Sequence, residues 1–351
     1  MKPDIMSMTG PEIEQFVLSI GEARFRAAQL HKWLMHGTPV EDMTNIPAKM
    51  KEKLNDLAFI PVARIEEKQV SKDGTVKYLF RLWDDCYVET VYMHHNYGNT
   101  VCVSSQSGCR MGCKFCASTV NGLTRSLTAS EMLLQITEAI KDMGEGISNI
   151  VIMGMGEPFD NYEQAVRFIR LCNSEDGLNI SCRRISVSTC GIVPGILEFA
   201  REGLPVTLSV SLHAPDDETR SGIMPINRKY GVAELLDACR EYYAVSKRRI
   251  SFEYALIDGK NNSPEDAAKL ADVLKRHLKD SVIHVNLIPV NAVRESGFTT
   301  GGREKTERFV KELEKRGINA TVRKRMGSDI NASCGQLRAK KLPGINQPPV
   351  T

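Results

Sequence analysis

From residue 100 onward the chain repeats one pattern: a strand-like apolar run, a loop, then a stretch with helical periodicity. The strand-like runs are Val101–Ser105, Asn149–Met153, Arg184–Ser188, Val206–Leu212, Ile250–Leu256, Ile283–Ile288 and Ile318–Val322. Runs alternating with helices at this spacing predict a parallel sheet, because each parallel connection needs a long crossover. Thr128-Ala129-Ser130-Glu131 forms a capping box ahead of apolar Met132, Leu133, Ile136, Ile140 and Met143. Ser263-Pro264-Glu265-Asp266 supplies an N-cap, a proline at the first helical position and early acids. An open doubly wound sheet and a partial barrel both satisfy the pattern. In either, functional residues collect at the C-terminal ends of the strands.

Residues 1–60 read as a helical accessory module. Pro11-Glu12 opens a stretch carrying Ile13, Phe16, Val17 and Ile20; a second holds Phe25, Ala28, Leu30 and Trp33-Leu34; a third runs from Ala48 through Met50, Leu54 and Leu57. Residues 61–98 alternate in the strand manner, with Asp73-Gly74 and Asp84-Asp85 as turns, and predict a small antiparallel segment. Residues 99–341 form the main domain. The tail 342–351, with Pro343, Pro348 and Pro349, is expected to be disordered.

With 42% hydrophobic and 25% charged residues, the composition is that of a globular protein. No apolar run reaches the eighteen residues of a membrane span, and Met1-Lys2-Pro3-Asp4 lacks a signal-peptide core. The expectation is a cytoplasmic protein with ten cysteines, where structural disulfides are rare and clustered cysteines more often bind metal or do chemistry. A net charge of +3 does not by itself imply a nucleic-acid partner. Local clusters at Arg183-Arg184, Lys247-Arg248-Arg249, Arg323-Lys324-Arg325 and Arg338 with Lys340-Lys341 could neutralise phosphates, although each alone reads better as solvated surface.

The sharpest motif is Gly108-Cys109-Arg110-Met111-Gly112-Cys113-Lys114-Phe115-Cys116, three cysteines spaced C-x3-C-x2-C after the first strand of the main domain. Thiolates suit iron–sulfur clusters or zinc. A [4Fe–4S] cluster normally takes four cysteines, so three in one loop leave an iron open for another ligand. Zinc would need a fourth protein ligand, for which His94, His95 and Cys102 are candidates.

The loop resembles the cluster motif of radical S-adenosylmethionine enzymes. Four further motifs narrow the likeness: Met153-Gly154-Met155-Gly156-Glu157-Pro158, Ser211-Leu212-His213-Ala214-Pro215, Met224-Pro225-Ile226-Asn227 and Cys334-Gly335-Gln336-Leu337. Together with Val103-Ser104-Ser105-Gln106 before the loop, they are similar to the ribosomal RNA adenine-C2 methyltransferase family across essentially the whole chain. The resemblance implies an α/β fold, a partial (βα)6-type radical SAM barrel with a small N-terminal helical module and a short antiparallel segment. It implies a [4Fe–4S] cluster on Cys109, Cys113 and Cys116, with two S-adenosylmethionine molecules consumed per methylation. Gly156, Glu157, Ser188, Ser211, Leu212, His213 and Asn291 become cofactor contacts, with Asn286 an alternative for the last.

The same resemblance makes Cys334 the methyl-carrying nucleophile, Cys102 the resolving thiol that forms a transient disulfide with it, and Glu89 the proton acceptor. The chemistry calls for a carrier. Adenine C2 has no lone pair and cannot attack a sulfonium methyl, so a covalent intermediate splits the reaction. The implied partners are 23S ribosomal RNA at the peptidyl transferase centre, transfer RNA at the adenosine 3′ of the anticodon, and an electron donor such as flavodoxin or ferredoxin, with the enzyme a monomer. Cys190 departs from the family's serine or threonine and is expected to pack. Cys86, Cys172, Cys182 and Cys239 receive no chemistry. The rival readings are the C8-methylating resistance relative, disfavoured by Pro158 after Glu157, and a zinc-stabilised RNA-binding module without catalysis.

Overall fold

The computed structural model describes residues 2–289, 298–299, 301–324 and 326–330; Asn291, Cys334 and the tail lie outside them. Helices α1 (Gly10–Ser19), α2 (Phe25–Met35) and α3 (Ala48–Leu57) fall on the three N-terminal amphipathic stretches. α1 opens with a capping box, the Thr9 N–H donating to Glu12 at 2.7 Å. Ile13, Val17, Leu30, Leu34, Met50 and Leu54 are buried between these helices and the rest of the chain. Phe25, expected on the apolar face, is 60% exposed and lies under the Arg26 guanidinium, 4.7 Å from its ring centre. The module docks through Ser130 Oγ, which donates to Asp4 at 2.5 Å, and Arg167, which pairs with Glu12 at 2.6 Å.

Strands β1 (Ala63–Val70), β2 (Val76–Leu82) and β3 (Tyr87–Met93) pair antiparallel, and β3 pairs antiparallel with β4 (Thr100–Cys102). A separate hairpin, β5 (Gln106–Gly108) and β6 (Leu123–Ser126), follows. Then β7 (Asn149–Ile152), β8 (Ile185–Thr189), β9 (Thr207–Ser211), β10 (Ile250–Leu256), β11 (Ile283–Pro289) and β12 (Ala320–Val322) extend the sheet from β4, all parallel. The crossovers carry α4 (Ala129–Met143), α5 (Tyr162–Asn173), α6 (Val193–Arg201), α7 (Asp217–Ile223), α8 (Val232–Ser246), α9 (Pro264–His277) and α10 (Arg303–Lys315). Both expected helix starts are present: Glu131 N–H donates to Thr128 Oγ1 and Asp266 N–H to Ser263 Oγ.

Strand order decides between the two sheet types. A doubly wound sheet reverses its order at a switch point. Here the ten strands of the main sheet follow chain order throughout. Every crossover therefore steps the same way, and right-handed connections put the helices on one face. The sheet is a partial barrel, open between its first and last strands.

Side chains alternate across such a sheet. Ile150, Ile152, Val187, Leu208, Val210, Phe252, Tyr254, Val285 and Leu287 point outward into the main core beneath the helices. Their neighbours, Ser186, Ser188, Ser209, Ser211, Ser251, Glu253, His284 and Asn286, therefore point inward, so the inner face is polar from β8 to β11, while at β3, β4 and β7 it carries Val91, Met93, Cys102 and Val151. After β12 the chain crosses the open side. Arg323 N–H donates to Leu287 O, Met326 packs on Val91, Met93 and Cys102, and Gly327 N–H donates to Asp73 at 2.9 Å. Asp329 accepts from Ser71 Oγ and from Lys72 N–H.

Lys77 on β2 and Glu89 on β3 form an ion pair of 2.9 Å with both side chains buried. Breaking one side of a buried pair strands a charge and costs about 3–5 kcal/mol, whereas removing both does not. Lys77→Met should therefore lower stability by roughly that amount in thermal unfolding, and Lys77→Met with Glu89→Met should recover most of the loss. An equal or larger loss in the double variant would contradict the pairing.

Candidate active site

The cysteine loop lies at the C-terminal end of β4, between the strands of the β5–β6 hairpin. Gly108 and Gly112 have φ of 86° and 72°, a region that side chains with Cβ avoid, so the turns around Cys109 and Cys113 need glycine. Cys109 N–H donates to Gly122 O at 3.1 Å, and Thr119 Oγ1 donates to the carbonyls of Cys113 and Cys116 at 3.2 and 2.9 Å. Lys114 N–H donates to Ile223 O at the end of α7. The loop thus rests on the turn after β9.

Burial pushes the Cys109 thiol up to about 12 and raises the Cys113 thiol further, with the neighbouring cysteines adding to both. Such buried thiols become thiolates only against a bound cation. Among the described residues no three His, Cys, Asp or Glu side chains converge closely enough for a single metal ion. The zinc alternative loses two of its three candidate fourth ligands, the histidines. β3 runs antiparallel to β4, with Met93 opposite Thr100, so His94 and His95 follow at the end of the sheet away from the loop. There His94 contacts Asn99 at 3.1 Å and His95 stacks on Tyr97. Three soft donors on one loop, Cys109 and Cys113 buried and Cys116 half-buried, fit a cluster that carries its own sulfides and keeps an iron open.

The loop after β7 packs against the segment after β4. A Cβ on Gly154 would sit 2.6 Å from Val103 O and 2.7 Å from Ser104 N; one on Gly156 would sit 2.6 Å from Gln106 Cβ. These glycines permit an approach of chain to chain. Ser105 and Gln106 N–H donate to Met155 O, and Met155 N–H donates to Ser104 Oγ at 2.9 Å. Glu157, expected to meet an ammonium group, is buried with its carboxylate accepting from Phe159 N–H at 3.0 Å and Cys190 N–H at 2.6 Å. Burial raises its pKa, and those two amides oppose the rise. Cys190 packs against Cys113, Ile223 and Met224.

The expected cofactor residues Ser188, Ser211 and His213 lie at neighbouring strand ends. Leu212 differs in kind: its side chain fills the outer core, its N–H donates to Glu253 O and its carbonyl accepts from Arg220. His213 has φ of 56°, and its Nδ1 accepts from Ala255 N–H at 2.9 Å, which places the ring hydrogen on Nε2. Its ring meets Phe115 edge-on at 4.8 Å. Burial, with the Arg220 charge adding to it, lowers its pKa to about 3, so the ring is neutral. Asn286 donates to Glu253 at 2.7 Å across adjacent strands.

Glu89, which reads in the sequence as an exposed strand glutamate, is 2% exposed beside Lys77. Its backbone carbonyl accepts from Ser104 Oγ at 2.6 Å, joining β3 to the segment that carries the cysteine loop. Cys102 is buried with Val91, Met93, Val151, Met153 and Met326. Sequence reasoning missed Lys77 and Arg220, both fully buried; no local pattern marks either. Cys172, Cys182 and Cys239 sit in the main core.

Gly154→Ala drives a methyl group onto backbone atoms and should cost about 1–3 kcal/mol in thermal unfolding. Gly146→Ala, where a Cβ meets nothing within 4 Å, should be near neutral. Equal effects from the two would contradict the close approach.

Comparison with known proteins agrees with this geometry. The model of the Radical SAM superfamily matches residues 103–271, and that of the ribosomal RNA large subunit methyltransferase N-terminal domain matches residues 3–60. Proteins named "Probable dual-specificity RNA methyltransferase RlmN" are similar over nearly their full length. That of Thermoanaerobacter sp. strain X514 is 49% identical, covering 97% of this chain and 98% of its own. That of Caldanaerobacter subterraneus subsp. tengcongensis is 50% identical over the same shares. The crystal structure of a radical SAM methyltransferase from Sphaerobacter thermophilus superposes with a TM-score of 0.89 at 42% identity, covering 95% of this chain and 98% of that one. Radical SAM membership carries a [4Fe–4S] cluster and S-adenosylmethionine as cofactors. The chain belongs to the RlmN family of radical S-adenosylmethionine methyltransferases.

Proposed function

We propose that this enzyme methylates C2 of adenosine in 23S ribosomal RNA at the peptidyl transferase centre, and the adenosine 3′ of the anticodon in some transfer RNAs. The dual-specificity RNA methyltransferases to which it is about half identical support the substrate class. Pro158 after Glu157 favours C2 over the C8 chemistry of the resistance relative. No helix among the described residues is long and apolar enough to cross a membrane, in keeping with a cytoplasmic enzyme. It works as a monomer, with a flavodoxin or ferredoxin as electron donor.

Cys109, Cys113 and Cys116 hold the cluster, and Gly156, Glu157, Ser188, Ser211, Leu212, His213 and Asn291 form the S-adenosylmethionine site. Bound there, the cluster and cofactor supply the methyl group and the 5′-deoxyadenosyl radical. The chain's own residues do the rest. Cys334 carries the methyl group on sulfur, and its carbon becomes bonded to C2. Glu89, held in place by Lys77, accepts the proton lost from C2. The Cys102 thiolate then attacks the Cys334 sulfur; the bond from that sulfur to the added carbon breaks, the carbon keeps the electron pair and takes up a proton to become the product methyl group, and a Cys102–Cys334 disulfide remains. The observation that supports this reading most directly is the place of Cys102: it is buried at the C-terminal end of β4, just ahead of the cysteine loop, and pairs with Val91 on the same face of β3 as Glu89.

The roles of the two thiols separate in mutants. Cys334→Ala has no methyl carrier and forms no product. Cys102→Ala still joins Cys334 to the base but cannot release it, so a covalent protein–RNA adduct accumulates, visible as a slow, nuclease-sensitive band on a denaturing gel. Cys102→Ala,Cys334→Ala lacks the band. Normal turnover by either single variant would overturn the two-thiol reading.

A further inference from the structure

Arg220, on α7, is the largest fully buried side chain among the described residues. A guanidinium has five N–H donors, and each finds an acceptor. Nε donates to Leu212 O at 3.0 Å; Nη1 donates to Asn227 Oδ1 at 2.9 Å and Tyr230 O at 3.4 Å; Nη2 donates to Cys190 O at 2.7 Å and Ser211 O at 3.0 Å. Four acceptors are backbone carbonyls and the fifth is an amide oxygen. The charge is solvated by dipoles and neutralised by none of them. The carboxylate on the same helix, Asp217, accepts instead from Asn227 Nδ2 at 3.0 Å and Val232 N–H at 2.7 Å. Asp217 thus offers Arg220 an opposing charge without a direct bond, and a buried cation so weakly compensated favours a further anion nearby.

The surroundings say where it binds. Cys190, whose carbonyl takes the shortest of the five bonds, packs in one cluster with Cys113, Ile223 and Met224, joined by Met111, Phe115 and Cys116. Ile223, the last residue of α7, accepts from Lys114 N–H at 2.9 Å. A Cβ on Gly112 would meet Pro225 at 3.4 Å. The wall of the cysteine loop is therefore built from α7 and the turn after it, with the Arg220 guanidinium behind that wall. A [4Fe–4S] core of charge about +2 on three thiolates sums to about −1, and one-electron reduction takes it to about −2.

We propose that Arg220 is the counter-charge of the cluster, a positioning residue that raises its reduction potential through charge while tying the Cys190 turn to the Ser211–Leu212 strand end. The inference rests on the cluster reading. A positive charge behind the loop favours the more negative, reduced state, so its removal makes the cluster harder to reduce.

The test compares anaerobically reconstituted full-length wild type, Arg220→Lys and Arg220→Gln by iron and sulfide content, circular dichroism and the midpoint potential of the cluster. Lysine fills fewer acceptors but keeps the charge; its melting temperature should fall while its potential stays near wild type. Glutamine should shift the potential to more negative values. A glutamine variant that folds but takes up no iron, while the lysine variant loads normally, is the same result read at assembly. If glutamine does not fold, Arg220→Met serves as the uncharged variant: a more negative potential than that of the lysine variant supports the proposal, and the same potential in both overturns it. A glutamine variant at the wild-type potential, or lysine and glutamine shifted together, would also overturn it. Wild type lacking iron and sulfide would instead sink the cluster reading, a separate outcome.

Discussion

The alternation of side chains across a sheet wound in one direction is the constraint on which the rest of this molecule depends. Because each crossover steps the same way, only the outer face needs helices, and the outward residues are Ile, Val, Leu and Phe. From β8 to β11 the inward residues are released from core packing and are Ser, Glu, Asn and His, while β3, β4 and β7 keep a small apolar cluster around Cys102. A parallel sheet covered on both faces would have to be apolar on both. Leaving one face uncovered makes a polar interior possible, with strand ends where loops can converge.

The cysteine loop uses that arrangement. It is held by backbone bonds to its own hairpin and to α7, and by the close approach of the Gly154–Gly156 loop to the segment after β4. Glu157 and Arg220 then bridge strand ends from below: Glu157 joins the β7 and β8 loops through Cys190 N–H, and Arg220 joins the β8 and β9 loops through Cys190 O and Ser211 O. Both sides of one peptide segment are thus clamped, by an acid on its N–H and a base on its carbonyl. Such buried polar links hold a loop to one arrangement where apolar packing alone would leave alternatives.

Much of this was legible in the sequence. Helices α1 to α4 and α9 announce themselves through period and caps, and every parallel strand through an apolar run. The hairpin β5–β6 was not legible, because Gln106-Ser107-Gly108 is short and has no alternation. Nor was the choice between winding modes, which depends on strand order, a property no local segment carries. Lys77 and Glu89 look like ordinary solvated charges until β2 and β3 pair and bring them together on a buried face. Arg220 is opaque for the same reason: its five acceptors come from four separate places in the chain. The roles of Cys334 and Cys102 came from resemblance alone, and Cys334 lies outside the described residues.

The position at which carbon is added is central, since in the proposed reaction that step would draw on the cluster, the strand-end residues and the carrier thiol together. The direct measurement is anaerobic reaction of the reconstituted enzyme with 23S ribosomal RNA, digestion to nucleosides and mass analysis against both isomer standards. The account predicts 2-methyladenosine as the product, formed only with S-adenosylmethionine and a reductant present. A dominant 8-methyladenosine product, or an unmodified RNA from enzyme carrying a full complement of iron and sulfide, would contradict it.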